Sequence, residues 1–348
     1  MPLNLDEAML RGTSRVLTRL PEGLARRLFG RRPRSPEGHV LDAALFNLLI
    51  AAKRVGVADA TLLPLDDARI GFERSLRLTD RAPRRGLEVR DLTLTETPAP
   101  LRVRVYRPHV RVSPSPAVVY FHGGGFVLGS LDSHNDLCRL IAERTRAVVL
   151  SVDYRLAPEH VFPVAVEDAL AAFNALRARA PSMDLDPGRF AVAGDSAGGN
   201  LAAVTANALA GPQSPIAQWL IYPATDFTRS HASHQTFADA LVLPKRSIDR
   251  FLFDYTPDPA THLDPRASPL FADDLRGVAP AIVQTAGFDP LRDEGDAYAR
   301  KLADAGVPVS HRCEHTLLHG YAHLGGLVPA ANEALDWGCA LLRARLHG

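Results

Sequence analysis

The sequence predicts an α/β protein whose core is a parallel sheet with helices on both faces. Three observations carry that prediction. From Ala117 onward, short apolar runs alternate with stretches of helical spacing, the rhythm of strand–helix–strand units. One run, Arg189-Phe190-Ala191-Val192-Ala193, passes into Gly194-Asp195-Ser196-Ala197-Gly198-Gly199-Asn200 and then into the alanine-rich stretch 201–209. That reads as strand, sharp turn and helix, with a serine at the turn. Another run, Ala117–Phe121, ends directly in His122-Gly123-Gly124-Gly125-Phe126. Three successive glycines let the backbone pass close to a ligand with its amides turned inward.

Taken in order, residues 1 to about 80 read as mainly helical. Leu41–Ile50 and Leu65–Leu76 have apolar positions at helical spacing, and neither carries a catalytic triplet. The basic run Arg26–Arg34 reads as a solvated loop between helices. From Leu87 the period changes to two. Val89–Leu94 and Leu101–Tyr106 alternate around a Pro98-Ala99-Pro100 turn, so the sheet starts with an antiparallel pair. Ala117–Phe121, Ala147–Val152, Arg189–Ala193 and Ala217–Tyr222 follow as buried strands, with helices near Leu137–Ile141 and Val164–Ala178. The rhythm stops at Asp226. Residues 226 to about 263 read as an insertion with a helix near Arg246–Phe253. It resumes with strand Ala281–Ala286, helix Gly295–Ala305, a last strand near Pro308–Arg312 and a closing helix over Glu333–Leu346. The expected organisation is an N-terminal helical part (1–80), a core in two pieces (81–225 and 264–348) and the 226–263 insertion between them.

Composition narrows the function classes. With 348 residues and 46% hydrophobic content the chain can bury a large core, and a net charge of +1 gives no reason to expect nucleic acid or an anionic membrane. No apolar run approaches the roughly 18 residues of a membrane span, and the N-terminus lacks the apolar segment of a signal peptide. Three scattered cysteines, Cys138, Cys313 and Cys339, argue against a disulfide framework or a zinc site and fit the cytoplasm.

The chemistry converges on Ser196. Gly194 and Gly198 flank it as Gly-x-Ser-x-Gly between a strand and a helix, the nucleophile elbow of α/β-hydrolases. A serine hydroxyl is a weak nucleophile and needs a base that a carboxylate orients. In this fold the chain order is Ser, then Asp or Glu, then His. Asp289 follows the strand ending at Ala286, at the end of the sheet where active sites lie. Asp293 and Glu294 lie further on, in the next helix, where negative charge suits a helix N-terminus. Three histidines, His315, His319 and His323, follow the last strand at four-residue intervals. On a helix they would share one face and could hold a metal. Gly320 and the preceding strand make a loop the better reading, and a serine triad needs no metal. His122-Gly-Gly-Gly125 fits the loop that supplies oxyanion-stabilising amides to such an elbow.

Five motifs in order give the region 116–320 its resemblance. They are His122-Gly-Gly-Gly125; Asp153-Tyr-Arg-Leu-Ala-Pro-Glu-His160; Gly194-Asp-Ser-Ala-Gly-Gly-Asn200; Asp289-Pro-Leu-Arg-Asp-Glu294; and His319-Gly320. Together they resemble the hormone-sensitive-lipase-like carboxylesterases, the bacterial family IV esterases of the α/β-hydrolase fold. Tyr321 and Thr316 depart from that pattern, which has Phe after His-Gly and often Gly three residues before the His. The resemblance implies a mixed sheet of about eight strands and a helical cap built from the N-terminal part and the 226–263 insertion. It implies Ser196, Asp289 and His319 as the triad, since only His319 of the three histidines is followed by Gly. It implies the amides of Gly124, Gly125 and Ala197 as the oxyanion hole, with His122, Gly123 and Asp195 as supporting motif residues. It also implies cofactor-free transfer of an acyl group to water. Asp153, Arg155 and Glu159 read as a buried structural ion network.

The expected activity is hydrolysis of short- to medium-chain esters. The expected partner is a small-molecule ester, and a homodimer fits the same reading. An amidase or formamidase would use the same triad. A non-catalytic small-molecule receptor on this fold would lack the histidine that this chain has at position 319.

Overall fold

The computed structural model describes residues 5–54, 63–81 and 86–348. Residues 1–4 and 55–62 of the expected N-terminal part, and 82–85 at the start of the expected core, lie outside the described residues. Eight strands form one sheet: β1 (Leu87–Leu94), β2 (Leu101–Pro108), β3 (Ser115–Phe121), β4 (Val148–Asp153), β5 (Leu185–Asp195), β6 (Gln218–Ile221), β7 (Ala281–Phe288) and β8 (Val309–Leu318). Their order is β1-β2-β4-β3-β5-β6-β7-β8. β1 with β2 and β2 with β4 run antiparallel, and every other pair is parallel.

Burial explains why the strands differ in pattern. β3 and β7 are buried at every residue and carry unbroken apolar runs. The edge strand β1 has one solvated face and alternates. Helices α6 (Val164–Ala178), α7 (Ala197–Ala208) and α10 (Arg292–Asp304) pack on one face of the sheet, through residues such as Phe173, Ala202 and Tyr298. Helices α5 (Asn135–Thr145) and α11 (Pro329–His347) pack on the other, through Leu140, Leu335 and Leu342.

Among the described residues four helices precede the sheet: α1 (Leu5–Leu17), α2 (Glu22–Phe29), α3 (Ala43–Arg54) and α4 (Leu65–Thr79). They do not form one layer. Leu45 and Phe46 of α3 join the cluster of α5 and α11, whereas Ala68 of α4 joins the cluster on the opposite face. The basic run is only half loop, because Arg26 and Arg27 close α2, and Arg32 returns to pair with Glu22 at 3.1 Å. Between β6 and β7 lie α8 (Ala232–Thr236), α9 (Lys245–Tyr255) and a 3-10 turn over Pro259–Leu263.

The expected Asp153–Arg155–Glu159 network does not form. Arg155 pairs with buried Asp168 at 2.7 Å, Glu159 is half-exposed and pairs with Arg69 at 2.7 Å, and Asp153 lies 3.9 Å from Arg102. The three side chains meet three separate partners, so no shared network links them.

Candidate active site

The residues singled out in the sequence sit at the C-terminal ends of the parallel strands, where an open α/β sheet leaves its crevice. β5 ends at Asp195, and Ser196 takes φ 54 and ψ −117 before α7 begins at Ala197. A side chain rarely adopts that backbone, and the turn holds it there. Ser196 N–H donates to Ile221 O at 2.9 Å, which ties the turn to the end of β6. A Cβ on Gly194 would collide with Gly198 O, and one on Gly198 would collide with Phe121 O. Only glycine permits strand and helix to approach so closely.

Asp289 follows β7 and is fully buried, and its Oδ1 accepts Leu291 N–H at 2.8 Å. His319 follows β8 and is nearly buried. Its Nδ1 lies 2.8 Å from Asp289 Oδ2, and its Nε2 lies 2.9 Å from Ser196 Oγ. An ionised carboxylate only accepts, so Nδ1–H donates to Asp289 and Nε2 accepts from the serine hydroxyl. The Tyr222 ring packs against the imidazole at a 4.7 Å centroid distance. Tyr321, in the position where the family pattern has Phe, is buried edge-on against Tyr222.

The other histidines of that series part company with His319. His315 lies within β8 and stacks on His39 at 4.2 Å, and His323 lies in a 3-10 turn after Gly320. The rival carboxylates also take other places. Glu294, in the first turn of α10, is buried and accepts Thr225 N–H at 2.6 Å and His234 Nε2–H at 2.6 Å. It therefore pins the 226–263 segment to the core, which is more than a favourable charge at a helix end. Burial raises its pKa above the usual range.

The triple-glycine loop crosses above the elbow. Gly124 and Gly125 have φ of 121° and 63°, values that suit glycine. Among the described residues their N–H groups donate to no protein acceptor, so they are free to meet an oxyanion. The Gly123 N–H is not free, because it donates to Asp195 Oδ1 at 3.0 Å. A Cβ on Gly125 would strike the Phe251 ring of α9, which places that ring directly over the loop. His122 stacks on Tyr154 at 4.3 Å, and burial together with neighbouring His134 lowers its pKa to about 3.

Asp195 is the hub beneath these loops. Tyr120 O–H donates to its Oδ1 at 2.6 Å, beside the Gly123 amide, and His134 Nε2 lies 3.2 Å from the same oxygen. His323 Nε2–H donates to Oδ2 at 3.2 Å. Burial alone would raise the Asp195 pKa, but His134 and His323 overcome it and hold the carboxyl well below the usual range. Sequence reasoning missed Tyr120 and His134, since neither lies in a chemically spaced motif. It met His323 only as a rival base.

Among the described residues, His134, Asp195 and His323 are also the ones whose ligand atoms could surround a cation, since these atoms all lie within 4.8 Å of one another. The fit is poor. Gly123 N–H points at both His134 Nε2, 3.1 Å away, and Asp195 Oδ1, so an ion between them would displace that bond and the loop it anchors.

Comparison with known proteins shows the family of the chain. A family model described as alpha/beta hydrolase fold matches residues 118–323. The carboxylic ester hydrolase LipN of Mycobacterium tuberculosis is 40% identical, over 95% of this chain and 90% of its own. An ethyl acetate hydrolase of Pseudomonas putida is 38% identical, over 84% of this chain and 94% of its own. Among solved structures, an ester hydrolase from the metagenome of Lake Arreo, in complex with a bipyridine phosphonate derivative, superposes with a TM-score of 0.83. It is 39% identical and covers 87% of this chain and 98% of its own. The family match runs from β3, which leads into the glycine loop, to the turn that carries His323. The chain therefore belongs to the α/β-hydrolase fold family, in its hormone-sensitive-lipase-like, family IV branch.

Proposed function

We propose that the chain is a serine carboxylesterase in which Ser196 is the nucleophile, His319 the base and Asp289 the residue that orients it. The observation that carries this reading is the unbroken relay from Asp289 Oδ2 through His319 to Ser196 Oγ, with links of 2.8 and 2.9 Å. Ser196 Oγ attacks the ester carbonyl as its proton passes to His319 Nε2. Asp289 holds the imidazole in the required tautomer and stabilises the imidazolium. The carbonyl oxygen becomes an oxyanion facing the N–H groups of Gly124, Gly125 and Ala197, each donor lowering the barrier by on the order of 3 kcal/mol. His319 returns the proton to the leaving alkoxide. Water, activated by the same imidazole, then splits the acyl-enzyme.

The names of the relatives support esters as the substrate class, and none of those described here names an amide. A short to medium acyl group suits the apolar roof in which Ile248, Phe251 and Leu252 of α9 meet Leu243, Leu291 and Ala224. On this reading α4 and the 226–263 segment form the cap of the site. Three scattered cysteines, two of them buried, suit a reducing cytoplasm; among the described residues no helix is long and apolar enough to cross a membrane. A panel of p-nitrophenyl esters of graded acyl length, with an anilide beside them, tests the proposal. Hydrolysis is expected to be fastest at the short end, with the anilide far slower. An anilide cleaved as fast as the esters would favour the amidase reading.

A further inference from the structure

Glu159 is the penultimate residue of the Asp153–His160 motif, yet it is half-exposed and bonds to neither Ser196 nor His319 nor Asp289. It binds Arg69 of α4 through both carboxylate oxygens, at 2.7 and 2.8 Å. An exposed ion pair of this kind contributes only about 0–1 kcal/mol, so the pair alone gives the arginine little reason to be there. The rest of the guanidinium supplies one. Arg69 Nε–H donates to Val127 O at 3.0 Å, and Nη2–H donates to Ala157 O at 3.1 Å. One planar fork thus holds two backbone carbonyls and a carboxylate, on two different loops.

Those loops adjoin the reacting centre. Val127 follows Gly124 and Gly125 by two to three residues, and Gly124 O accepts Leu128 N–H at 2.8 Å, which closes the turn. Ala157 N–H donates to Phe126 O at 2.9 Å, so the two loops are laced by one backbone bond, and Arg69 adds the next rung. One helical turn further along α4, Glu73 accepts from Ser130 O–H. Positions 69 and 73 share a helix face, and together they grip both ends of segment 127–130. A cavity of about 430 Å³ opens beside this grip, lined by Arg69, Glu73, Ser130, Leu156, Glu159 and His160. On that side the loop is held by polar side chains where close packing would otherwise hold it.

We infer that Arg69 is a positioning residue for the oxyanion-stabilising step, setting the Gly124–Val127 turn so that the Gly124 and Gly125 amides face Ser196 Oγ before substrate arrives. The inference rests on the proposed roles of those amides. Donors aimed in advance act on the transition state and need no reorganisation. Loosening them therefore lowers kcat and leaves KM nearly unchanged. Lysine offers a single point charge and cannot span three acceptors.

The test compares R69A, R69K and E159Q with wild type on p-nitrophenyl acetate, and follows phosphonylation of Ser196 by a p-nitrophenyl phosphonate. R69A should lose about 10- to 100-fold in kcat with KM within threefold, less than the roughly 100- to 1000-fold that loss of a whole oxyanion donor costs. Its phosphonylation should slow in parallel and still reach one label per chain, and millimolar guanidinium should restore part of the rate. R69K should fall between R69A and wild type, which keeps the test open if R69A folds poorly. E159Q, which keeps the two carbonyl bonds, should stay within threefold of wild type. An R69A or R69K enzyme with unchanged kcat, a loss confined to KM, or an E159Q as damaged as R69A would overturn the inference. An S196A variant that kept its activity would fault the reading of the site itself and overturn the inference with it, whereas an inactive S196A beside an R69A with unchanged kcat would overturn the inference alone.

Discussion

The floor and the roof of the Ser196 site are built on different principles. The floor is the set of loops at the strand ends, where Asp289, His319 and Asp195 lie buried around a partly exposed Ser196 and each is fixed by at least one bond to another strand end. The roof is α4 and α9, amphipathic helices with solvated faces. α9 leaves Phe253 74% exposed while Phe251 presses on Gly125. The floor positions atoms through the rigidity of a fully hydrogen-bonded sheet. The roof positions them through a few side chains reaching down. Changes in the floor should therefore affect chemistry, whereas changes in the roof should affect which substrates enter and how firmly one loop is held.

The largest contrast lies between two histidines four residues apart. H319A removes the proposed base and should cost about three to four orders of magnitude in kcat. H323A removes only one donor to Asp195 Oδ2 and should cost about tenfold or less, with stability reduced by about 1 kcal/mol. Steady-state kinetics and thermal melts on both variants check this. Equal losses would mean that floor and support are not separable.

D195N tests the hub itself. An amide places a donor where the carboxylate accepts from Tyr120, Gly123 and His323, with His134 Nε2 3.2 Å away. Leaving such groups unpaired in the interior should cost about 2–4 kcal/mol of stability, together with roughly tenfold in kcat as Gly123 loses its anchor. Urea unfolding read beside kcat measures both. A D195N enzyme as stable as wild type would contradict the hub.

The roof should respond in specificity. F251A removes the ring over Gly125 and should raise the ratio of hexanoate to acetate kcat/KM by roughly tenfold, as expected when a pocket gains room for added methylenes. The change in stability should be small, since the ring is only partly buried. An unchanged acyl-length profile would remove α9 from the acyl site.

The smallest expected effect concerns pH. Burial keeps His122 neutral, with its pKa lowered to about 3, and lowers that of His134 as well. The unfolded chain takes up protons at these positions below about pH 6.5. The native state then binds fewer protons, so stability falls as pH drops from about 6.5 toward 3. H122N should flatten the fall of melting temperature between pH 7 and pH 5 relative to wild type, and an identical slope would count against a neutral buried ring.

What could be read from sequence divides along the same line as the molecule. β3, β5 and β7 were legible because a strand buried on both faces must be apolar throughout. Ser196, Asp289 and His319 were legible because the elbow, the strand end and the His-Gly pair are contiguous signals. Arg69 was not, since its partners Val127 and Glu159 lie 58 and 90 positions away and its helix carries no motif. Tyr120 and His134 were hidden for a related reason: a polar side chain inside a strand or before a helix reveals its partner only once the sheet is assembled. Glu159 shows the opposite error. A charged motif after a buried strand suggested a buried network, but Arg155 pairs inward with Asp168 while Glu159 stays half-exposed against Arg69.

The relay from Asp289 through His319 to Ser196 is the centre of the account, and covalent trapping tests it most directly. The chain is treated with a fluorophosphonate, digested, and the adduct located by mass spectrometry, in wild type and in H319A. The account predicts one adduct per chain, on the peptide containing Ser196, with the rate of labelling reduced at least a hundredfold in H319A. An adduct on another residue, or labelling of H319A at the wild-type rate, would contradict it.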